Sequence, residues 1–467
     1  MKYLLLAWLP LLPLIVCGAV RLSGSIEGLK NGDSITVITD KYGEPHFMGF
    51  QQNHNTVATN NRFEIILPSS GHPFWLFGIK FGTHDRNGHF IQLCMEDGDD
   101  VRISGKNGHF IFDGKGSERW RLMCSLDSIY TKWTQGISWG SINDIKRYFE
   151  CTDSSVINSL KLLKAQKTLI SYSVYHLLLA DILGQFYGKG GFSFNLGTGH
   201  RLELLEALRS YRCGITNTLP QLSQNDPAIL YAGNYFNGLE TQYRFDSCTM
   251  QNRDYDAMNY YRFILVHYKS LVLQRLATDV LYKARDANVN VSNCVANALQ
   301  FVNVKDFAGI LKHLQQGRSF GALAYNFRLP DTAGVIHRQI DYANKVVLLD
   351  FWFNGCGACR LVHPYIDSIR SLVNSEQFVV VTISEDPDKT WWLKGLRSGK
   401  YTSPENVNLY TNGVGLESPV LKHYLVNSFP TLIVIDKKGR LMENPVDLLV
   451  DEGASLLRII KTGLAAK

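Results

Sequence analysis

Cys356-Gly357-Ala358-Cys359 is the one close cysteine pair in the chain. Three residues along a helix put two side chains on one face, near enough for their sulfurs to join in a small ring. If Cys356 opens such a helix, the unpaired N–H groups and positive dipole end favour its thiolate, which is the nucleophilic form. The chemistry this allows is exchange: Cys356 attacks a partner's disulfide, and Cys359, expected to be the more buried, displaces the mixed disulfide. Zinc would need two further ligands, yet there is no second close cysteine pair and the histidines are dispersed. Attachment of c-type haem requires a histidine after the second cysteine, where Arg360 stands. No metal and no cofactor is therefore expected, and a purely structural disulfide is the plainer alternative.

The elements around the pair must aim it. Val346 to Phe353 is a continuous apolar run broken by Asp350 alone, the pattern of a parallel strand buried on both faces. It runs through Asn354-Gly355 into the cysteines, so a strand, a tight loop and a helix start follow one another, a placement that favours redox work over a passive staple.

The segment D-F-W-F-N-G-C-G-A-C-R resembles the active-site segment of thioredoxins, and the last third of the chain is similar to the TlpA/ResA-like envelope branch with its AhpC/TSA-type thioredoxin-like domain. Ala324 to Phe327, with Asp331 and Gly334, resembles that branch's extra N-terminal hairpin. Ser428-Phe429-Pro430-Thr431, leading into Leu432 to Asp436, matches its proline loop, and the resemblance implies that Pro430 is cis and faces the cysteines. Asp350, six residues ahead of Cys356, falls on the position of the acid that helps deprotonate the second cysteine. A carboxyl in an apolar strand has a raised pKa and exchanges protons near neutrality, whereas a solvated strand-end aspartate would keep its ordinary one.

The pattern also departs from the family. Gly355 stands where thioredoxins usually have tryptophan, and Ala358 where they have proline. Relatives span roughly −270 to −120 mV, so reductase and oxidant directions both stay open. A peroxiredoxin is disfavoured because Leu349 and Phe353 occupy its proline and threonine places. Between Ser384 and Tyr424 lies a longer connection than a minimal thioredoxin needs, in which Trp391 and Trp392 are expected to pack on the sheet.

The remainder of the 467 residues sets the context. Hydrophobic residues make 45% and charged residues 19%, which is folded protein rather than disorder. The net charge of +6 is scattered, and no nucleic-acid binding is expected. Residues 1–19 read as a secretory signal: Lys2, an apolar run from Tyr3 to Val16 interrupted by Pro10 and Pro13, then small residues. Leu14 to Cys17 resembles a lipoprotein box that would make Cys17 a lipid anchor, and cleavage after Ala19 is the ordinary alternative. Residues 20–116 alternate short β-rich runs with turn signals, and resemble a small β domain of unknown function found ahead of envelope thioredoxins. Residues 117–318 turn to helical periodicity, with many tyrosines expected in the core. The remaining cysteines, Cys94, Cys124, Cys151, Cys213, Cys248 and Cys294, are isolated, and spacing does not decide between disulfides and buried thiols.

The expected architecture is an N-terminal antiparallel β-sandwich-like module, an α-helical middle domain and a C-terminal thioredoxin-like α/β domain from residue 319. The expected function is thiol–disulfide exchange on protein partners, supplied by a membrane redox donor or acceptor, in the periplasm or on the periplasm-facing membrane of a Gram-negative bacterium. A binding or assembly protein with an ancillary thioredoxin domain is the rival.

Overall fold

The computed structural model describes residues 18–44, 49–81, 89–106, 109–135, 137, 142–189, 191, 219–286 and 291–466. Most of the expected signal segment, with Cys17, and Cys213 lie outside the described residues. The chain divides into two compact units, Met1–Asp254 and Tyr255–Lys467. That division falls inside the helical stretch, so each unit carries part of it.

The first unit opens with eight strands: β1 (Val20–Ile26), β2 (Ser34–Asp40), β3 (Gln52–Val57), β4 (Phe63–Leu67), β5 (Phe74–Phe81), β6 (His89–Met95), β7 (Asp100–Lys106) and β8 (His109–Lys115). They form two four-stranded sheets, ordered β4-β1-β7-β8 and β3-β2-β5-β6. Period-two alternation points one face of each sheet inward, as β4 illustrates with Phe63, Ile65 and Leu67 buried and Glu64 and Ile66 exposed. Val20, Leu22 and Val101 of one sheet meet Ile35, Val37 and Leu76 of the other in a single sandwich core. One pairing departs from the antiparallel expectation: β1 and β7 run parallel. The chain builds β2 to β6 between them, a connection long enough to return in the same direction.

Helices α1 (Ser117–Thr134), α2 (Ile142–Ala165), α3 (Tyr172–Gly188) and α4 (Gly233–Tyr243) follow. Leu122, Val156, Leu177 and Ile182 from the first three of these helices cover the outer face of the second sheet at Ile38, Trp75 and Phe77. Arg119 of α1 is buried, donates to the Cys94 carbonyl at 3.0 Å and pairs with Glu96 at 2.9 Å and with Asp99. α3 and α4 cross at glycine: a Cβ on Gly238 would strike the backbone of Gly184, and one on Gly184 the backbone of Asn234.

The second unit starts with α5 (Ala257–His267), α6 (Ser270–Lys283), α7 (Ser292–Ala298) and α8 (Lys305–Gly317). The aromatic residues of the helical stretch go largely inside, Tyr235, Phe236, Tyr260 and Tyr261 being buried, while Tyr172 is exposed. A short hairpin, β9 (Arg328–Pro330) with β10 (Ile336–Arg338), follows where the sequence places one. Then come β11 (Val346–Trp352), α9 (Gly357–Ser371), β12 (Phe378–Ser384), α10 (Lys389–Ser398), β13 (Val407–Tyr410), α11 (Pro419–His423), β14 (Thr431–Ile435), α12 (Leu448–Asp451) and α13 (Ala454–Ala465).

The sheet order is β13-β12-β11-β14, with β14 antiparallel to β11 and the other pairs parallel. Every residue of β11 is buried because it has a strand on each edge and cover on each face. Val347, Leu349 and Phe351 pack with Leu421 and Tyr424. Val346 and Leu348, on the other face, pack with Val362 and Ile366 of α9 and with Leu456 and Ile459 of α13. α8 ends hard against this layer, since a Cβ on Gly317 would run into the His423 carbonyl. The three-part succession of β module, helices and thioredoxin-like α/β layer is thus present.

Candidate active site

β11 delivers the chain to Phe353-Asn354-Gly355, and this loop is pinned from the connection after β12. The Asn354 N–H donates to Asp386 Oδ1 at 3.0 Å, and its side-chain amide donates to the Trp391 carbonyl at 3.0 Å. The Trp391 indole N–H donates back to the Asn354 carbonyl at 3.0 Å, and the Gly355 N–H donates to Tyr401 Oη at 3.1 Å. Gly355 has φ 115°, a region that residues with a Cβ disfavour, which accounts for glycine where a tryptophan was the family expectation. Trp391 and Trp392 part ways: Trp392 is buried and stacks on Tyr410 with centroids 4.8 Å apart, while Trp391 is exposed and clasps Asn354. The sequence offered the pair of tryptophans but not that one of them would hold the loop.

Cys356 is the N-cap of α9, with φ −66° and ψ 104°, and its sulfur accepts the Cys359 N–H at 3.0 Å. The two cysteines are joined as a disulfide, their Cα atoms 5.3 Å apart. Both are buried almost equally, at 4% and 3% exposure, so in this oxidised form burial does not rank them as expected. Their positions do: only Cys356 sits on the helix end, where an amide hydrogen already points at its sulfur. Trp352, stacked on Tyr401, shares one apolar cluster with both cysteines, Trp392 and Tyr410.

Asp350 lies on β11 with its residue 3% exposed, and its Oδ1 has no hydrogen-bond partner. By strand period it shares the face of Val346 and Leu348, the one turned to α9. Burial alone raises its pKa to about 7. Glu385, beside the loop, is also raised to about 7, by burial first and then by the charge of Asp386. Pro430 follows a cis peptide bond to Phe429 at the start of β14. Phe429 meets Phe353 edge to face, centroids 5.4 Å apart, so the proline loop touches the loop that carries the cysteines. Pro430 and Ala358 line a common cavity of about 240 Å³. The structure thus brings Cys356, Cys359 and the Pro430 loop together, with Asp350 beneath on the helix-facing side of the strand.

Among the described residues, Cys94, Cys124, Cys151 and Cys294 are free thiols. Cys94 is fully buried, and burial pushes its thiol up, out of reactive range. The same described residues contain no helix long and apolar enough to cross a membrane.

A strand, a cysteine-capped helix and a cis-proline loop on a sheet of this order define a thioredoxin-like domain, and residues 344–441 match the thioredoxin-like family. Two curated relatives are both named thiol-disulfide oxidoreductase ResA. The one from Geobacillus thermodenitrificans is 27% identical over 128 residues, which is 26% of this chain and 65% of that protein. The one from Geobacillus kaustophilus is 27% identical over 123 residues, 26% of this chain and 67% of that protein. The chain thus spans about two thirds of the length of these relatives. Among solved structures it is similar to the thioredoxin domain of a thiol-disulfide oxidoreductase from Bacteroides vulgatus, 25% identical, covering 31% of this chain and 98% of that one with a TM-score of 0.28.

Proposed function

We propose that the chain is a thiol–disulfide oxidoreductase that acts on protein partners through Cys356 and Cys359. The observation that carries this reading is the cysteine at a helix N-cap, closed onto its neighbour one turn in and bordered by the cis-Pro430 loop. Cys356 is the attacking sulfur. Its thiolate forms a bond to one sulfur of a partner disulfide and expels the other as thiolate. The Cys359 thiol then loses its proton and attacks Cys356, releasing the reduced partner and leaving the intramolecular disulfide. Asp350, buried and near neutral in pKa, takes the Cys359 proton and returns it in the reverse direction. Pro430 borders the pair and presents the partner chain to it.

The apolar, lysine-led N-terminus supports export to the bacterial envelope, either with a lipid anchor at Cys17 or with cleavage after Ala19. The electron donor or acceptor proposed for the pair is a membrane redox protein. The domain boundaries proposed remain 1–19, 20–116, 117–318 and 319–467, with the 117–318 helices contributing to both compact units.

The test is the reduction potential of the pair in the full chain, equilibrated in glutathione buffers and read by thiol labelling with peptide mapping, which separates Cys356 and Cys359 from the other thiols. A reversible disulfide between about −270 and −120 mV supports the reading, and its position sets the direction. A pair that forms no reversible disulfide would refute it and leave the binding or assembly role.

A further inference from the structure

The cavity shared by Ala358 and Pro430 has a cation in its wall. Arg318, the residue after α8, lines it together with Val362, Leu432 and Leu448 and is itself only 8% exposed. The side chain reaches this place because α8 is pressed onto the thioredoxin-like layer at Gly317, where no Cβ would fit against His423. Arg318 Nη2 donates to the Arg285 carbonyl at 3.4 Å, and the Asn444 amide donates to the same oxygen at 2.6 Å.

Arg285 is a second buried cation. Its guanidinium donates to the Tyr282 carbonyl at 2.7 Å and to Asn427, the residue three before Pro430. The helical segment ahead of the thioredoxin-like layer therefore holds the proline loop and places one charge in the cavity beside it. At about 240 Å³ the space is below the roughly 300–1,000 Å³ of a small-molecule pocket, and suits one side chain.

We propose that this cavity is a subsite for an acidic side chain adjoining the reactive cysteine of the protein partner, with Arg318 as its specificity-determining residue. The inference rests on the redox reading of Cys356 and Cys359. A partner whose cysteine is bonded to Cys356 runs past Ala358 and Pro430, so its neighbouring residue is the one that reaches the cavity. There a carboxylate meets Arg318, with Arg285 behind it, among apolar walls where a charge-assisted bond gains most. A lysine in the same place would be repelled, and an asparagine carbonyl would accept from the guanidinium without supplying an opposite charge. Asp447 also lines the cavity, but its Oδ1 accepts the Leu449 N–H at 2.9 Å as the cap of α12, so that oxygen is engaged in the fold. Burial and the like charge of Arg285 lower the Arg318 pKa to about 9, which still leaves it charged at neutral pH.

The experiment uses the full chain with Cys359→Ser, reduced, so that the mixed disulfide at Cys356 accumulates. The probes are single-cysteine peptides in mixed disulfide with thionitrobenzoate, carrying Asp or Asn at one of the two positions on either side of the cysteine. The rate of thionitrobenzoate release is read for each Asp and Asn pair, less the rate of the chain that also carries Cys356→Ser, which removes the share of the other free thiols. The expected result is a preference for Asp of about tenfold at one position, the scale of one charge-assisted hydrogen bond in a partly closed site. Arg318→Gln should bring that ratio to about one, and Arg318→Lys should keep part of it. Equal rates for Asp and Asn at every position in the Arg318 chain overturn the proposal, and this comparison needs no variant of Arg318 to fold. A preference that survives Arg318→Gln overturns it too, since the acid would then be read elsewhere. Reaction with glutathione disulfide but with none of the peptides removes the subsite and leaves the redox reading standing, whereas failure with glutathione disulfide as well removes both.

Discussion

Replacing Asp350 with asparagine tests the buried carboxyl directly. In the unfolded chain the group titrates near 3.8, and in the folded chain near 7. Between those pH values the folded state holds a proton that the unfolded state has lost, so the acid's contribution to stability is full below pH 3.8 and falls as pH rises towards 7. At about 1.4 kcal/mol per pH unit, the gap amounts to on the order of 4 kcal/mol by neutral pH and stays constant above it. The amide of the Asp350→Asn variant cannot ionise and escapes that loss, although it remains a buried polar group with its own desolvation cost. Urea unfolding of Tyr255–Lys467, one of the two compact units, should therefore show the variant gaining on the parent steadily from pH 4 to pH 7 and levelling off above. The same variant should slow resolution of the mixed disulfide by Cys359 about a hundredfold at pH 7, the usual worth of a positioned base. A difference in stability between variant and parent that does not change with pH would refute the reasoning, because Asp350 would then titrate alike in both states.

The remaining expectations are simpler. Cys359→Ser should trap mixed disulfides between Cys356 and partner proteins, whereas Cys356→Ser should trap none, as non-reducing gels would reveal. Gly355→Trp should lower stability by about 1–3 kcal/mol in denaturant unfolding, because φ 115° strains any residue with a Cβ. Gly238→Leu should destabilise Met1–Asp254 by more than about 2 kcal/mol, since α3 and α4 cross there in backbone contact, and should leave the Cys356–Cys359 potential unchanged.

How far the sequence reached depended on whether a feature was local. The apolar run of β11, the cysteine spacing and the Ser-Phe-Pro-Thr loop each carry their meaning within a few residues, and each stands where it was expected. The β module was legible from alternation, but the parallel pairing of β1 with β7 was not, because strand direction within a sheet is set by the path of the chain between them. Trp391 and Trp392 look alike in sequence, yet adjacent helix positions point about 100° apart, and only tertiary contact decides which faces inward. In the sequence Arg318 is only the last residue before the expected start of the thioredoxin-like domain. Its burial follows from the close fit of Gly317 against His423, which no periodicity announces. Asp350 was placed by resemblance, and its missing hydrogen-bond partner could be seen only once both faces of β11 were covered.

Trp352 shares its apolar cluster with both sulfurs and lies flat against Tyr401. An excited indole gives up an electron readily to a nearby disulfide and far less readily to a pair of thiols. Opening the Cys356–Cys359 bond should therefore brighten this indole, one of eight in the chain, so that the change in emission on reduction would follow a titration of the pair without a dye.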